Sequence, residues 1–261
     1  MNALPSSKRA PAARAGRRPD YRLRLATTRE DLEAAQRLRF EVFNLELGEG
    51  LAASYALGRD EDAYDAYCDH LLVQNDETGE VIGTYRLQTG QLAAAHLGYY
   101  SEQEFAFAPY ESLRCELVEL GRACVHRDHR HLGVLGLLWR GIALYAHERG
   151  ARYLIGCSSL TSRDPSIGAA TYAQFRDDGF TAEPPLLTTP TPAFACPLQQ
   201  RATSCPPPPK LLRTYLSIGA KICGPPAIDR EFGTIDFLTL LDLRALSGNA
   251  QAHFGIAADD L

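Results

Sequence analysis

A carboxylate in an otherwise apolar row is the first residue whose setting points to chemistry. Cys115–Val125 alternates as a strand does. One face of that strand carries Cys115, Leu117, Glu119, Gly121, Ala123 and Val125. Burial disfavours the charged form of a carboxylate and raises its pKa, which suits a general base or acid at Glu119. The alternative is an ion pair with Arg122, which needs a bulge at Gly121 to bring both side chains onto one face.

Two arginines also lie among apolar neighbours. Arg39 is on the apolar stripe of a helix, between Ala35 and Phe43, and Arg86 is inside a strand. A planar guanidinium can bind a substrate carboxylate through two parallel hydrogen bonds. The alternative for each is structural, with the stem packed against the core and the head in solvent.

Other polar clusters lack a complete chemical signature. The acidic run from Asp60 to Asp69 has neither the glycine nor the closing glutamate of a calcium loop, so we interpret it as a solvated surface. No cysteine or carboxylate completes a zinc site around His126, His129 and His131. We therefore predict no bound metal. The chain has no P-loop and no dinucleotide-binding fingerprint.

Alternating strands and helices must position these side chains. Apolar alternation predicts strands at Tyr21–Leu25, His70–Gln74, Val81–Leu87, Cys115–Val125, Tyr153–Ser158 and Asp236–Leu243. Helical periodicity and capping signals predict helices at about 30–43, 132–149, 165–179 and 211–220, the first with a capping box from Thr27 to Glu30. This succession predicts a mixed α/β sheet flanked by helices.

Composition limits the classes of function. The chain has 261 residues and a formal net charge of −5, which argues against a nucleic-acid partner. No stretch is long and apolar enough for a membrane span. Seven cysteines without a C-x-x-C pair predict free thiols in a reducing, cytoplasmic setting. Residues 1–20 read as a mobile basic tail, and residues 21–261 as one domain with a Pro-rich connection near 184–210.

Several sequence blocks, taken together, resemble one bacterial enzyme family. The chain resembles the L-ornithine Nα-acyltransferases, an acyl-carrier-protein-dependent branch of the GNAT superfamily, from about Tyr21 to Phe254. The blocks are those at 34–43, 68–73, 83–87, 100–105, 119–126, 138–142, 156–159, 211–216 and 227–232. The resemblance implies a GNAT-like, mostly antiparallel central sheet flanked by helices.

The resemblance also implies a reaction. A (3-hydroxy)fatty acyl group would move from acyl carrier protein to the α-amine of ornithine, giving lyso-ornithine lipid. The acyl-carrier thioester is then a co-substrate, and no cofactor is bound permanently. Glycine or lysine as acceptor, synthesis of an acyl-homoserine-lactone type of signal, and a non-catalytic lipid- or carrier-binding module remain alternatives. The enzyme would be cytoplasmic, with a possible peripheral contact at the inner membrane.

The pattern is similar as well to acyl-homoserine-lactone synthases, and this implies roles for individual positions. Glu119 and Arg122 are the expected catalytic residues. The expected substrate-binding residues are Arg39, Phe43, Asp65, Asp69, Arg86, Cys124 and Val125. Arg39, Arg86 and Arg122 are candidates to bind the acceptor carboxylate or to fix Glu119, and Arg39 is the one we expect to bind the carboxylate. Asp65 or Asp69 would bind the side-chain ammonium. Backbone N–H groups near Cys124 and Val125 would stabilise the oxyanion.

The donor site is expected at the start of the 132–149 helix. The family loop that binds the pyrophosphate of coenzyme A has a small residue where this chain has Leu135. A bulky residue there would hinder the approach of a pyrophosphate to the helix N-terminus. We therefore expect a carrier protein, whose pantetheine has one phosphate, to bind at Arg127, Arg130, His131 and Gly133.

Overall fold

In the computed structural model, which describes residues 20–248 and residue 251, eight strands form one mixed sheet. The strands are β1 (Tyr21–Leu25), β2 (Asp69–Asn75), β3 (Val81–Thr89), β4 (Leu117–Val125), β5 (Tyr153–Leu160), β6 (Lys221–Ile222), β7 (Ala227–Asp229) and β8 (Thr234–Asp242). Their order is β1-β2-β3-β4-β5-β8-β6, with β7 also paired to β8. Only the β4–β5 pair is parallel. The expected mostly antiparallel sheet flanked by helices is confirmed.

Helices connect the strands, and the four longest lie close to where periodicity predicts them. They are α1 (Arg29–Phe40), α2 (Ser54–Leu57), α3 (Gly90–Ala95), α4 (Leu132–Glu148), α5 (Pro165–Asp177) and α6 (Lys210–Ser217). The predicted capping box is wrong by one residue, because Thr28 caps α1 by accepting from the N–H of Asp31. After α1 the chain continues as a π-helical segment, Glu41–Leu47. Two short strands, β6 and β7, carry too few residues for alternation to reveal them.

Two layers of helices bury the two faces of the sheet. Helix α4 places Trp139 and Ile142 in the largest core cluster, against apolar residues of β2 and β3. Gly141 permits this close packing, since a Cβ there would lie 2.8 Å from the Leu71 side chain. Helix α1 packs on the opposite face, mainly against β3 and β4. Side chains on each face of the sheet are therefore buried against a different set of helices.

The two central strands diverge, and this opening creates a site. β4 and β5 pair only from Leu117 to Glu119, opposite Tyr153 to Ile155. On the other side of β4, Arg122 and Ala123 together oppose a single residue, Tyr85, which defines a β-bulge. Arg122 has a left-handed backbone, with φ of 45°. The bulge expected at Gly121 therefore exists one residue further along, and it separates β4 from β5.

The Pro-rich stretch returns the chain to the sheet. It begins with a short 3₁₀ turn at Pro184–Leu186. Isolated bridges then join Pro190 to Phe105 and Ala195 to Ala227. The basic tail lies outside the described residues, except for Asp20. Within the described part of the chain, no helix has the length and apolar character needed to cross a membrane.

Candidate active site

The opening between β4 and β5 forms a cavity of about 290 Å³. It has three regions, which we name here. The apolar arm lies on the α4 side of the sheet and is lined by Leu154, Trp139, Leu212, Tyr215 and Leu241. The junction contains Arg86, Glu119 and Arg122. The acidic arm contains Asp229 and Asp236, with Glu49 at the cavity wall and Glu104 directly behind Asp236. Because the strands diverge, one cavity joins an apolar face of the sheet to a polar one.

Glu119 is held at the junction by the turn that follows α3. The N–H of Tyr100 donates to its Oε2 at 2.8 Å, and the N–H of Ser101 donates to its Oε1 at 2.8 Å. The Ser101 hydroxyl donates to the same Oε1. Burial raises the pKa of Glu119, while the bonds from Ser101 and Tyr100 oppose that rise. Glu119 is thus a fixed carboxylate with an elevated pKa, as a general base requires.

Arg86 and Arg122 present unused hydrogen-bond donors to the same junction. Arg86 donates through Nη1 to Asp62 at 2.6 Å, and Arg122 donates through Nη2 to Asp62 at 3.0 Å. Both guanidinium groups lie over the ring of Tyr100, at 5.3 and 4.9 Å from its centroid. Within the described residues, each arginine makes hydrogen bonds through only one of its terminal nitrogens. The remaining donors suit a carboxylate in the cavity.

Arg39 does not reach the cavity, so the prediction that it binds the acceptor carboxylate does not fit the structure. Its side chain is 1% exposed. Its Nε donates to Asp60 at 2.7 Å, and its Nη1 and Nη2 donate to the two oxygens of Asp65 at 2.8 and 2.9 Å. Nη2 also donates to the Asp60 carbonyl. Four donated bonds leave little for a substrate, and Arg39 instead fixes the acidic segment that holds Arg86 and Arg122.

The acidic run is buried rather than solvated at its centre, which corrects the sequence interpretation. Asp65 is bonded to Gln36, Arg39 and Arg86. Burial alone would raise its pKa, but the arginines outweigh burial and hold the pKa of Asp65 far below its usual range. Asp69 lies elsewhere, where it accepts from Tyr145 at 2.7 Å. Neither aspartate lines the cavity, so neither can bind an acceptor ammonium there.

Three other predicted substrate residues have different positions. Phe43, which is in the π-helical segment, lines the cavity and packs edge-on against Phe232. Cys124 is buried in the small cluster with Leu38 and does not line the cavity. The N–H of His126 donates to Ile82 on β3, and bonds alternate along an antiparallel ladder. The N–H of Val125 therefore points to the β5 side, and that of Cys124 points to β3.

The predicted donor rim is only partly free. Arg127, His131 and Gly133 are exposed near the start of α4, and no side chain caps that helix. Arg130 is engaged, because its two terminal nitrogens bond both oxygens of Glu46 at 2.6 and 2.8 Å. Leu135, in the first turn of α4, is partly buried against the largest core cluster.

The sequence analysis did not identify the carboxylates of the acidic arm. Glu104, Asp229 and Asp236 are buried, and their carboxylate oxygens all lie within 4.8 Å of one another. Two of the three occur in blocks that carried the family resemblance, at 100–105 and 227–232. Asp236 was visible as a single acid at the start of an apolar strand. Each carboxylate comes from a different segment, so no spacing in the sequence reveals the cluster.

Two solved structures with a similar fold have titles that describe them as synthases of acylated small molecules. FeeM, an N-acyl amino acid synthase from uncultured soil microbes, matches with a TM-score of 0.52 and 13% identity, over 90% of this chain and 99% of that one. The acyl-homoserine-lactone synthase LasI matches with a TM-score of 0.50 and 12% identity, over 90% and 95%. At these identities the likeness shows the fold.

Sequence comparison defines the class and then the family. Residues 38–140 match the family model described as "Acetyltransferase (GNAT) domain", and with the diverging strands and the Glu119 junction this defines a GNAT-type N-acyltransferase. The L-ornithine N(alpha)-acyltransferase of Brucella abortus is 31% identical over 94% of this chain and 92% of its own length. That of Rhizobium meliloti is 32% identical over 93% and 87%. The chain belongs to the L-ornithine Nα-acyltransferase family and is an enzyme.

Proposed function

We propose that this enzyme transfers a (3-hydroxy)fatty acyl group from acyl carrier protein to the α-amine of L-ornithine, giving lyso-ornithine lipid. The observation that carries the proposal is the junction, where a fixed carboxylate and two arginines separate an apolar arm from an acidic one. An acyl chain suits the first arm, and a cationic amino acid suits the second. The names of the relatives support ornithine as the acceptor.

The acceptor must lose a proton before it can react. An α-amine near neutral pH is largely an ammonium ion, which cannot attack a carbonyl. In the proposed reaction Glu119 takes one proton, and the neutral amine then attacks the thioester carbonyl. A C–N bond forms and the C–S bond breaks, while the second amine proton goes to the leaving thiolate. Arg86 and Arg122 orient the acceptor by its carboxylate. The N–H of Val125 faces β5 two residues beyond Ala123, the last residue of β4 that lines the cavity, and it is the proposed donor to the oxyanion.

The donor would enter along the gap between β4 and β5. The uncapped N-terminus of α4 offers free N–H groups for the single phosphate of a pantetheine arm. The exposed side chains of Arg127 and His131 lie beside it and suit an acidic carrier protein. Because the product is a lipid, we propose that the enzyme works in the cytoplasm, peripherally at the inner membrane.

The test compares donors and acceptors with the purified full chain. A 3-hydroxyacyl carrier protein and the matching acyl-coenzyme A are each supplied with ornithine, lysine or glycine, and the products are identified by mass spectrometry. We expect N-acyl-ornithine with the carrier thioester as the preferred donor. Preference for lysine or glycine would refute the ornithine assignment while leaving the N-acyltransferase chemistry intact. Equal kcat/KM with the coenzyme A thioester would refute the carrier assignment.

A further inference from the structure

The buried carboxylates of the acidic arm lack a counterion. Glu104 is 1% exposed and Asp236 is 3% exposed. In the part of the chain that the structure describes, no arginine, lysine or histidine forms an ion pair with Glu104, Asp229 or Asp236. Buried charges without a partner are costly, and proteins retain them chiefly where a ligand completes the site.

Glu104 and Asp236 contact one another in this arm, and both carboxyls retain acceptor capacity. Neither carboxylate oxygen of Glu104 receives a hydrogen bond, and neither does Oδ1 of Asp236. Asp236 lines the cavity directly, and Glu104 lies behind it, against Asp236 and Cys157. Burial raises the pKa of Asp236 to about 6 and that of Glu104 well above its usual value. A cationic group that enters the cavity therefore meets Asp236 first, and Glu104 adds its charge from behind as the neighbour of Asp236.

Asp229 has a different part in the arm, because its oxygens are largely occupied. Oδ1 accepts from the backbone N–H groups of Glu231 and Phe232 at 2.9 and 2.8 Å. Oδ2 accepts from the Tyr100 hydroxyl at 3.4 Å. Asp229 therefore adds negative charge and fixes the wall, while Glu104 and Asp236 supply the free acceptors.

One residue connects the acidic arm to the base. The backbone N–H of Tyr100 donates to Glu119, and its hydroxyl reaches Asp229. Tyr100, with one hydrogen bond at each end, thus bridges the carboxylates of Glu119 and Asp229. Ornithine carries its two amines at the ends of a four-carbon chain, which is a comparable span. An α-amine at Glu119 would direct the far amine into the acidic arm.

We propose that Glu104 and Asp236 bind the side-chain ammonium of the acceptor and make this enzyme selective for a diamino acid. The inference rests on the proposed function, since it assumes an amino-acid acceptor with its α-amine at Glu119. The sequence analysis had predicted that Asp65 or Asp69 binds this ammonium, and the inference gives that role to Glu104 and Asp236 instead. A primary ammonium has three donors, and Asp236, which lines the cavity, offers it a free acceptor in Oδ1.

The test uses two acceptors that differ only in the far amine. Ornithine and norvaline have the same carbon chain, and norvaline lacks the side-chain nitrogen. The ratio of kcat/KM for ornithine to that for norvaline is measured for the wild type, Glu104→Gln and Asp236→Asn. Loss of one charged hydrogen bond predicts a fall of roughly 10- to 100-fold in that ratio, through KM for ornithine. Use of norvaline should stay the same or improve.

Controls separate this inference from the proposed function and from a metal site. Glu148→Gln, at an exposed glutamate of α4, should leave the ratio unchanged. A wild type that prefers ornithine, with both variants keeping that preference, overturns the inference alone. A wild type that acylates norvaline as well as ornithine overturns the proposed acceptor too. Loss of the wild-type preference on treatment with a chelator would identify a metal site and overturn the inference. Two variants are used because each neutralises a different buried charge.

Discussion

Changing Glu119 to glutamine tests the base and its environment together. The amide oxygen of the new side chain can still accept both bonds from Ser101. Its NH₂ group, however, faces the N–H of Tyr100, which donates to Oε2 in the wild type. One buried backbone donor then lacks an acceptor, at a cost of about 1–3 kcal/mol in the free energy of unfolding. Removal of a buried charge offsets part of that cost, so the variant should fold.

Catalysis should suffer far more than stability. An amide cannot take a proton from the ammonium, and loss of a general base lowers kcat by about 10²- to 10⁴-fold. Single-turnover measurements of acyl transfer from a preloaded carrier protein, with saturating ornithine, isolate the chemical step. A Glu119→Gln variant that keeps kcat within a few-fold of the wild type would remove Glu119 from the mechanism.

Ser101→Ala is the matched variant, because it changes the pKa of Glu119 without removing the carboxylate. The Ser101 hydroxyl favours the charged form, so its loss should raise the pKa of Glu119 further. One bond to a charged group corresponds to about 1–2 pH units. The base is then protonated at higher pH, and the acidic limb of the kcat/KM profile should move upward. A limb that stays in place would show that the titration of Glu119 does not control it.

The remaining predictions concern the bulge, the buried ion network and the donor rim. In chemical denaturation, the free energy of unfolding of Arg122→Gly should be about 1 kcal/mol higher than that of Arg122→Ala, because glycine adopts a positive φ without strain. Equal free energies of unfolding would contradict this. Arg39→Met removes the Arg39 bonds to Asp60 and Asp65 and leaves the buried cluster with one uncompensated negative charge. We therefore expect a loss of about 3–5 kcal/mol in the same assay, and a smaller loss would show that Arg122 and Arg86 suffice to pair these aspartates. The folded-state pKa of Asp65 is depressed, so the stability that it contributes is present at neutral pH and is lost as the pH falls below about 4. The difference between wild type and Asp65→Asn should therefore shrink in acid, whereas a constant difference would refute the ion-pair account. Arg127→Glu should raise KM for the carrier protein and weaken its salt dependence, and an unchanged salt dependence would exclude Arg127 from the rim.

The sequence by itself determined the main elements and singled out Glu119 as the buried carboxylate. Alternation over Tyr21–Leu25 and the apolar stripe of α4 depend on local periodicity, which a strand or helix must satisfy wherever it packs. Glu119 was identified because a carboxylate in an apolar row is unusual in any sheet. These signals are local, so they remain readable without knowledge of the partners across the fold.

Only the tertiary structure decided which polar groups meet. The stripe on α1 placed Arg39 on a buried face, but the chain that covers that face was not evident, and it carries Asp60 and Asp65. The arm of Glu104 and Asp236 depends on segments far apart in sequence that the sheet order brings together. Periodicity reports which face of an element is buried. It does not report which side chains share that buried space, because that depends on strand order, on the bulge at Arg122 and on the divergence of two central strands.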